Sequence, residues 1–347
     1  MKTYKVAVVG ATGMVGRKML QVLAERDFPV GELIPFASAK SAGSQIEYRG
    51  KKYTVVETNE ENINKYRPEI VIMSAGGKAS GIYSPMFAAA GGIVIDNSAY
   101  WRMDENVPLV VPEVNPEDAF NHPKGIIANP NCSTIQAMVA LNPLHKAFGI
   151  KRVIYTTFQA VSGAGVKGYA DLENGMKAAA EGTELPPLQK FPHPIAGNCI
   201  PEIDVLLDNG YYKEEQKMID ETHKIMHAPE IRVTATCVRV PVYYGHSESI
   251  NVEFEKPATP EQVREVLSKV PGIIVMDDPG NHVYPTALDA ADHDEVYVGR
   301  IRRDFTVESG INMWVVADNI RKGAATNAVQ IAQLLIAGEG KCPVHNA

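Results

Sequence analysis

The stretch that most constrains this chain is Lys5-Val-Ala-Val-Val9, followed at once by Gly10-Ala11-Thr12-Gly13-Met14-Val15-Gly16. An apolar run without alternation suits a strand buried on both faces of a parallel sheet. Glycines at G-x-x-G-x-x-G spacing permit a tight turn and a close approach of backbone to a ligand. Met14, Val15, Met19, Leu20 and Leu23 then recur at helical spacing. Strand, glycine turn and helix together form a variant of the dinucleotide fingerprint, in which a pyrophosphate rests on the helix N-terminus. Gly10, Ala11, Thr12, Gly13, Met14, Val15 and Gly16 are therefore candidate cofactor residues; the plain alternative is a βα turn.

The same alternation of elements continues. Glu32–Ala37, Glu69–Met73, Gly92–Ile95, Leu109–Val111 and Gly125–Ala128 read as strands, with a short helix over Pro85–Ala90. This predicts a Rossmann-type α/β domain. After its second strand an NAD enzyme would place an acid for the ribose hydroxyls. Here stand Ser38, Lys40 and Ser41, which suit a 2′-phosphate and favour NADP, unless Lys40 is a solvated loop residue. Arg102 is either a fork for an anion or a surface arginine paired to Asp104.

Cys132 sits where an irregular segment turns into a helix, a place that favours thiolate. It is either a nucleophile or a small buried hydrophobe. Pro143 should kink or divide that helix. Beyond Gly149 the pattern becomes that of an α+β domain with a mixed sheet. Arg152–Phe158 is β-rich and ends in a small-residue turn through Ser162 and Gly163. Residues 171–200 look like an excursion outside the core. Lys213–His227 is a charged helix, with Glu221 and Lys224 on one face. Ile231–Val242 alternates, which puts Arg239 on a face with Val233, Ala235 and Cys237; a charge there needs an anionic partner. His246 lies in the turn before a strand from Ser249 to Phe254. Thr259-Pro-Glu-Gln262 is a capping box. Val296–Ile301 and Ile311–Val316 complete the sheet, and a last helix spans Asn319–Ile336. The expected domains are 1–131 with 320–347, for the cofactor, and 132–319, for catalysis and dimerisation.

Composition excludes several classes. The net charge of −7 argues against nucleic acid or an anionic membrane as partner, and no stretch approaches a membrane span. Four cysteines, Cys132, Cys199, Cys237 and Cys342, form no CxxC pair. That fits neither a disulfide framework nor a metal site, and it suits a cytoplasmic protein.

In order and spacing, several motifs resemble aspartate-β-semialdehyde dehydrogenases of the bacterial form over nearly the whole chain. They are Gly10–Gly16, Asn97-Ser-Ala-Tyr-Trp-Arg-Met-Asp104, Val110-Val-Pro-Glu-Val-Asn115 and Asn129-Pro-Asn-Cys-Ser-Thr134. Gln159–Gly165, Glu221-Thr-His-Lys224, Arg239-Val-Pro-Val242 with Gly245-His-Ser247, and Asp318–Gly323 follow. The resemblance implies a homodimer that reduces L-aspartyl-4-phosphate with NADPH in lysine, threonine and methionine biosynthesis. By the same resemblance Cys132 is the nucleophile, His246 its general base and then acid, and Gln159 orients the substrate. Arg102, Asn131 and Lys224 would hold the phosphate, Arg239 the α-carboxylate and Glu221 the α-ammonium. The cofactor would meet Gly10–Gly16, Ser38, Lys40, Ser41, Ser162, Gly163 and Asn319. Segment 166–200 carries no role by resemblance beyond a possible dimer contact. A reductase of N-acetylglutamyl phosphate and a non-catalytic dinucleotide sensor are the alternatives.

Overall fold

The structure, a computed structural model, describes residues 2–338, so Cys342 lies outside the described residues. The chain divides into two compact units. One holds Met1–Asn131 and the segment from Ala324 onward; the other is Cys132–Gly323.

In the first unit, β1 (Tyr4–Val9), α1 (Met14–Glu25) and β2 (Val30–Ala37) are followed by a hairpin of β3 (Gln45–Tyr48) and β4 (Lys51–Thr54). Then come β5 (Val56–Glu57), α2 (Glu60–Tyr66), β6 (Ile70–Met73), α3 (Gly77–Ala89), β7 (Ile93–Asp96) and β8 (Ile126–Ala128). The main sheet has the order β5-β2-β1-β6-β7-β8 and is parallel throughout. Strand order therefore reverses beside β1, between it and β6, which is where open α/β sheets bind ligands.

Two expectations are corrected here. The helix over Pro85–Ala90 begins much earlier, at Gly77. Its Ser84 donates to Asp96 (2.9 Å), and Ser80 bonds the same carboxylate, so serines that would weaken an isolated helix have tertiary partners. The strand over Leu109–Val111 is a single bridge between Leu109 and Ala128. Asn115 cuts the ladder short: its Oδ1 accepts from Val111 N–H (2.9 Å) and its Nδ2 donates to Leu109 C=O (2.9 Å).

The second unit opens with α4 (Cys132–Phe148), β9 (Ile150–Gln159), α5 (Gly165–Glu181) and α6 (Lys213–Met226). It continues with β10 (Arg232–Arg239), β11 (His246–Phe254), α7 (Pro260–Ser268), β12 (Ile273–Val275), α8 (Ala287–Ala290), β13 (Val296–Arg303) and β14 (Gly310–Ala317). The sheet order β10-β9-β11-β14-β13-β12 is mixed: the two outer pairs are parallel and the inner ones antiparallel. One face is buried beneath α4, α6 and α7 and carries Ala235, Cys237, Arg239, Tyr155, Thr157, Gln159, His246 and Glu248.

Pro143 does not divide α4, which runs unbroken to Phe148. Every residue from Ser133 to Asn142 is buried, and that packing outweighs the hydrogen bond Pro143 cannot make, a loss of about 3 kcal/mol. Residues 171–200 are not merely an excursion. Leu172, Phe191, Ile195 and Ile200 form a satellite core with Val161. The last helix is also not uniform. A π-helical turn, Arg321–Thr326, precedes α9 (Asn327–Ala337). Within that turn the chain returns to the first unit, where Ala328, Val329, Ile331 and Leu335 of α9 join Val6, Val8 and Leu23 in the core.

Candidate active site

Cys132 is the first residue of α4, a 17-residue helix, so its thiol stands where backbone dipoles favour negative charge. Gly323 packs on it: a Cβ added there would lie 2.8 Å from the Cβ of Cys132. The guanidinium of Arg239 is near enough to interact electrostatically with the Cys132 thiolate. Arg239 ends β10 on the buried face, as its alternation required, with 5% of its surface exposed. Its Nη1 donates to Ala160 C=O (2.6 Å), Nε has no partner, and it forms no ion pair among the described residues.

His246 is fully buried at the first position of β11, which starts three residues earlier than alternation alone suggested. Its Nδ1 accepts from Ala160 N–H (3.0 Å), and its Nε2 lies 3.4 Å from Gln159 Nε2. Burial, then the nearby Arg239 cation, depress its basicity to about 3, with Glu214 opposing. Gln159 is oriented at both ends. Its Oε1 accepts from Thr157 Oγ1 (3.1 Å), and its Nε2 donates to Glu214 Oε1 (3.0 Å). Gly163 stands over this group: a Cβ there would come within 2.9 Å of Arg239 Nη1 and 3.2 Å of His246 Nε2. Only a glycine leaves that space open. Asn319 Oδ1 accepts from Ser162 Oγ (3.1 Å) and from Gly245 N–H (3.1 Å).

On α6, Glu221 is 1% exposed and Lys224 is half-buried. They share a face with Glu214 and Lys217, a spacing of i, i+3, i+7 and i+10. Lys217 bridges Glu214 (3.0 Å) and Asp204 (2.8 Å), and the two carboxylates raise its pKa despite burial. Reading the sequence missed Glu214, Lys217, Thr157 and Ala160. The acid pair Glu214-Glu215 falls in the first turn of α6, where acids are common, and Glu215 accepts from Tyr212 N–H (2.8 Å).

In the first unit, Gly10 has φ +82°, and a Cβ there would collide with the Ser74 carbonyl. The loops ending β1 and β6 thus meet at the point where strand order reverses. No side chain caps α1, whose N-cap is Gly13. This geometry fits a dinucleotide pyrophosphate on backbone N–H groups. Thr12, Met14 and Val15 are half-buried along the turn, and Ala11 and Gly16 are buried. Ser38 and Lys40 are exposed in a turn closed by Ser41 N–H to Ser38 C=O (2.9 Å), at the carboxyl end of β2. Arg102 is buried, which removes the surface-arginine reading. Its Nε donates to Asn129 C=O (3.0 Å) and its Nη2 to Asn97 C=O (3.1 Å). Asn129 is itself held by Asn97 (2.6 Å) and Asn327 (2.7 Å), which fixes the approach to the buried Asn131.

Residues 5–122 match the family model "Semialdehyde dehydrogenase, NAD binding domain", and residues 141–322 match "Semialdehyde dehydrogenase, dimerisation domain". The chain is 59% identical to an aspartate-semialdehyde dehydrogenase of Aquifex aeolicus, over 96% of this chain and 98% of that one. The solved structure of aspartate semialdehyde dehydrogenase II complexed with ASA from Vibrio cholerae superposes with a TM-score of 0.94 at 48% identity, covering 97% of this chain and 99% of that one. A Candida albicans aspartate semialdehyde dehydrogenase with NADP gives 0.76 at 27% identity, covering 97% and 99%. None of these names refers to an N-acetylated substrate. A nicotinamide-dinucleotide domain, a mixed-sheet domain described by its dimerisation and high identity along nearly the full length place the chain among oxidoreductases: it belongs to the aspartate-semialdehyde dehydrogenase family.

Proposed function

We propose that the protein converts L-aspartyl-4-phosphate to L-aspartate-4-semialdehyde with NADPH, through a thioester on Cys132, in the route to lysine, threonine and methionine. The observation that carries this reading is the buried Arg239, whose Nε is unpartnered beside Cys132, His246 and Gln159. A buried guanidinium without a carboxylate calls for an anionic ligand at the reacting centre.

Cys132 Sγ attacks the acyl carbon, the C–O bond to phosphate breaks, and phosphate leaves with the bonding pair. Arg239 takes the substrate α-carboxylate as a fork and Glu221 its α-ammonium. Arg102, Asn131 and Lys224 take the phosphate. NADPH, when bound, supplies a hydride to the thioester carbon. Collapse then breaks the C–S bond and frees the aldehyde, with His246 as general base and then acid and Gln159 orienting the substrate.

The cofactor is assigned to Gly10–Gly16, Ser38, Lys40 and Ser41, with Ser162, Gly163 and Asn319 toward the nicotinamide. The absence of an acid after β2 supports NADP over NAD. The lack of a disulfide among the described residues, with Cys132, Cys199 and Cys237 as thiols, supports a cytoplasmic setting. A homodimer is supported by the half-buried second face of the mixed sheet, where the Phe158 and Trp314 rings lie 5.4 Å apart, tilted by 45°.

The test is phosphate-dependent reduction of NADP by aspartate semialdehyde. Cys132→Ser should lose at least about 10³-fold in kcat. A variant that keeps wild-type turnover overturns the covalent route.

A further inference from the structure

We propose that Arg321 is a positioning residue for Cys132 and Asn319: its ion pairs with Asp292 and Asp294 pin the π-helical turn on which both depend. This rests on the reading of Cys132 as nucleophile and Asn319 as a cofactor residue.

The turn has an inner and an outer anchor. Asp318 is buried just after β14, and its Oδ1 accepts from the N–H groups of Ile320 (2.7 Å) and Arg321 (3.0 Å). Its Oδ2 accepts from Asp292 N–H (2.7 Å), in the loop after α8, where Asp292 takes a left-handed φ of +62°. The N–H of Gly323 reaches back five residues to Asp318 C=O (3.0 Å), the spacing of a π-helix. Such turns are rare and are found mostly at functional sites. Arg321 is the outer anchor. It is buried, its Nε donates to Asp294 (2.8 Å) and its Nη1 to Asp292 (3.1 Å).

The turn touches the site at two points. Gly323 presents bare backbone to Cys132: an added Cβ would lie 2.8 Å from Cys132 Cβ and 3.2 Å from its Cα. Asn319 accepts from Ser162 and from Gly245, the residue before His246. Gly245 in turn lies against Ala287 of α8, whose carbonyl a Cβ there would meet at 2.8 Å. The loop 287–294 therefore closes a ring, meeting Gly245 at one end and Arg321 at the other.

Stability does not account for a buried arginine at this place. An ion pair taken out of water gains little over apolar side chains of similar volume. Removing Arg321 strands no buried charge either, because the Asp292 side chain is 63% exposed and that of Asp294 25%. What the pairs supply is direction. A guanidinium bonded through Nε and Nη1 to two acids is held in one orientation, and the backbone that carries it is held with it. Gly323 stands two residues further on. A shift of about 1 Å at a reacting group can cost about 10²-fold in rate.

The test is Arg321→Met. kcat should fall about tenfold to 10²-fold. The dissociation constant of NADP should rise about three- to tenfold as Asn319 loses its bonds. KM for aspartate semialdehyde should stay within about twofold, since Arg239 and Glu221 stand on β10 and α6. The pH midpoint for alkylation of Cys132 should rise by about half a unit or more, as the thiol leaves its seat at the start of α4. Arg321→Lys, which keeps the charge, should recover part of the lost kcat. A wild-type kcat and midpoint in Arg321→Met overturn the proposal. So does a semialdehyde KM that rises by the factor by which kcat falls, and so does a lysine variant no better than the methionine one. If Arg321→Met does not fold, Asp294→Asn decides: the same pattern at smaller amplitude is expected, and wild-type values overturn the proposal. Failure of the covalent reading shows separately, as wild-type activity that survives complete alkylation of Cys132. Failure of the cofactor reading shows as an unchanged NADP affinity in Asn319→Ala.

Discussion

Glu248 follows His246 by two residues on β11 and faces the same buried side, opposite Thr157 of β9 and Val315 of β14. Neither of its carboxylate oxygens has a partner, and burial, then the charge of Glu214, drive its pKa far above the usual carboxyl range. The folded protein therefore keeps a proton on Glu248 that the unfolded chain releases near pH 4.5. Stability contributed by that proton is present below this pH and is lost as pH rises toward the folded value. Glu248→Gln, neutral at every pH, should escape the loss. Melting temperatures of the two proteins should diverge in favour of the variant between about pH 4 and pH 8, by roughly 2 °C or more. A constant difference across that range would refute a protonated Glu248. The residue also shows why the start of β11 was hard to read. Ser249–Phe254 alternates openly, whereas Gly245-His246-Ser247-Glu248 has the composition of a turn. Those polar residues are buried because they serve the site, and at such places local pattern and tertiary role part company. Arg239 was legible for the converse reason: a charge on an otherwise apolar face stands out.

At the scale of elements, the segment after α5 does more than cover surface. Asp171 is buried, and its carboxylate accepts from the N–H groups of Gln189 (2.8 Å), Lys190 (2.8 Å) and Phe191 (3.1 Å). That clamp holds the Phe191 ring 5.9 Å from the Arg239 guanidinium. A cation over an aromatic face is worth about 0.5–2 kcal/mol. Phe191→Ala should therefore raise KM for aspartate semialdehyde roughly two- to thirtyfold with little change in kcat. An equal fall in kcat and kcat/KM would instead mean that Phe191 acts on the transition state. Nothing in the sequence announced this. A single carboxylate binding three backbone donors some twenty residues away leaves no period or motif. The strands of the parallel sheet, by contrast, were legible as apolar runs, except the two-residue β5, too short to show a pattern, and the stretch where the Asn115 side chain replaced a ladder partner. The capping box at Thr259 was also legible, and it forms as expected, with Gln262 accepting from Thr259 N–H at 3.0 Å.

At the scale of the whole molecule, the mixed sheet has one face on which, among the described residues, only the short α8 packs, beside Val316 and Trp314. Ile154, Thr156, Phe158, Ser249, Asn251, Asn312 and Trp314 on it are half-buried, and Trp314 Nε1 donates to Pro285 C=O (3.1 Å). On the proposed homodimer this is the self-complementary patch. Trp314→Glu should shift the protein to monomer in sedimentation at micromolar concentration; a dimer that persists unchanged places the contact elsewhere. The other large-scale feature is that the first unit is discontinuous in sequence, completed by α9. During synthesis its sheet leaves the ribosome first, yet the face around Val6, Val8 and Leu23 stays uncovered until the Ala328–Leu335 stretch has been made. Cys132–Gly323 is continuous and is translated in full before that cover arrives. The half of the protein begun first is therefore the half finished last, and its exposed strands are what a chaperone would meet on the nascent chain.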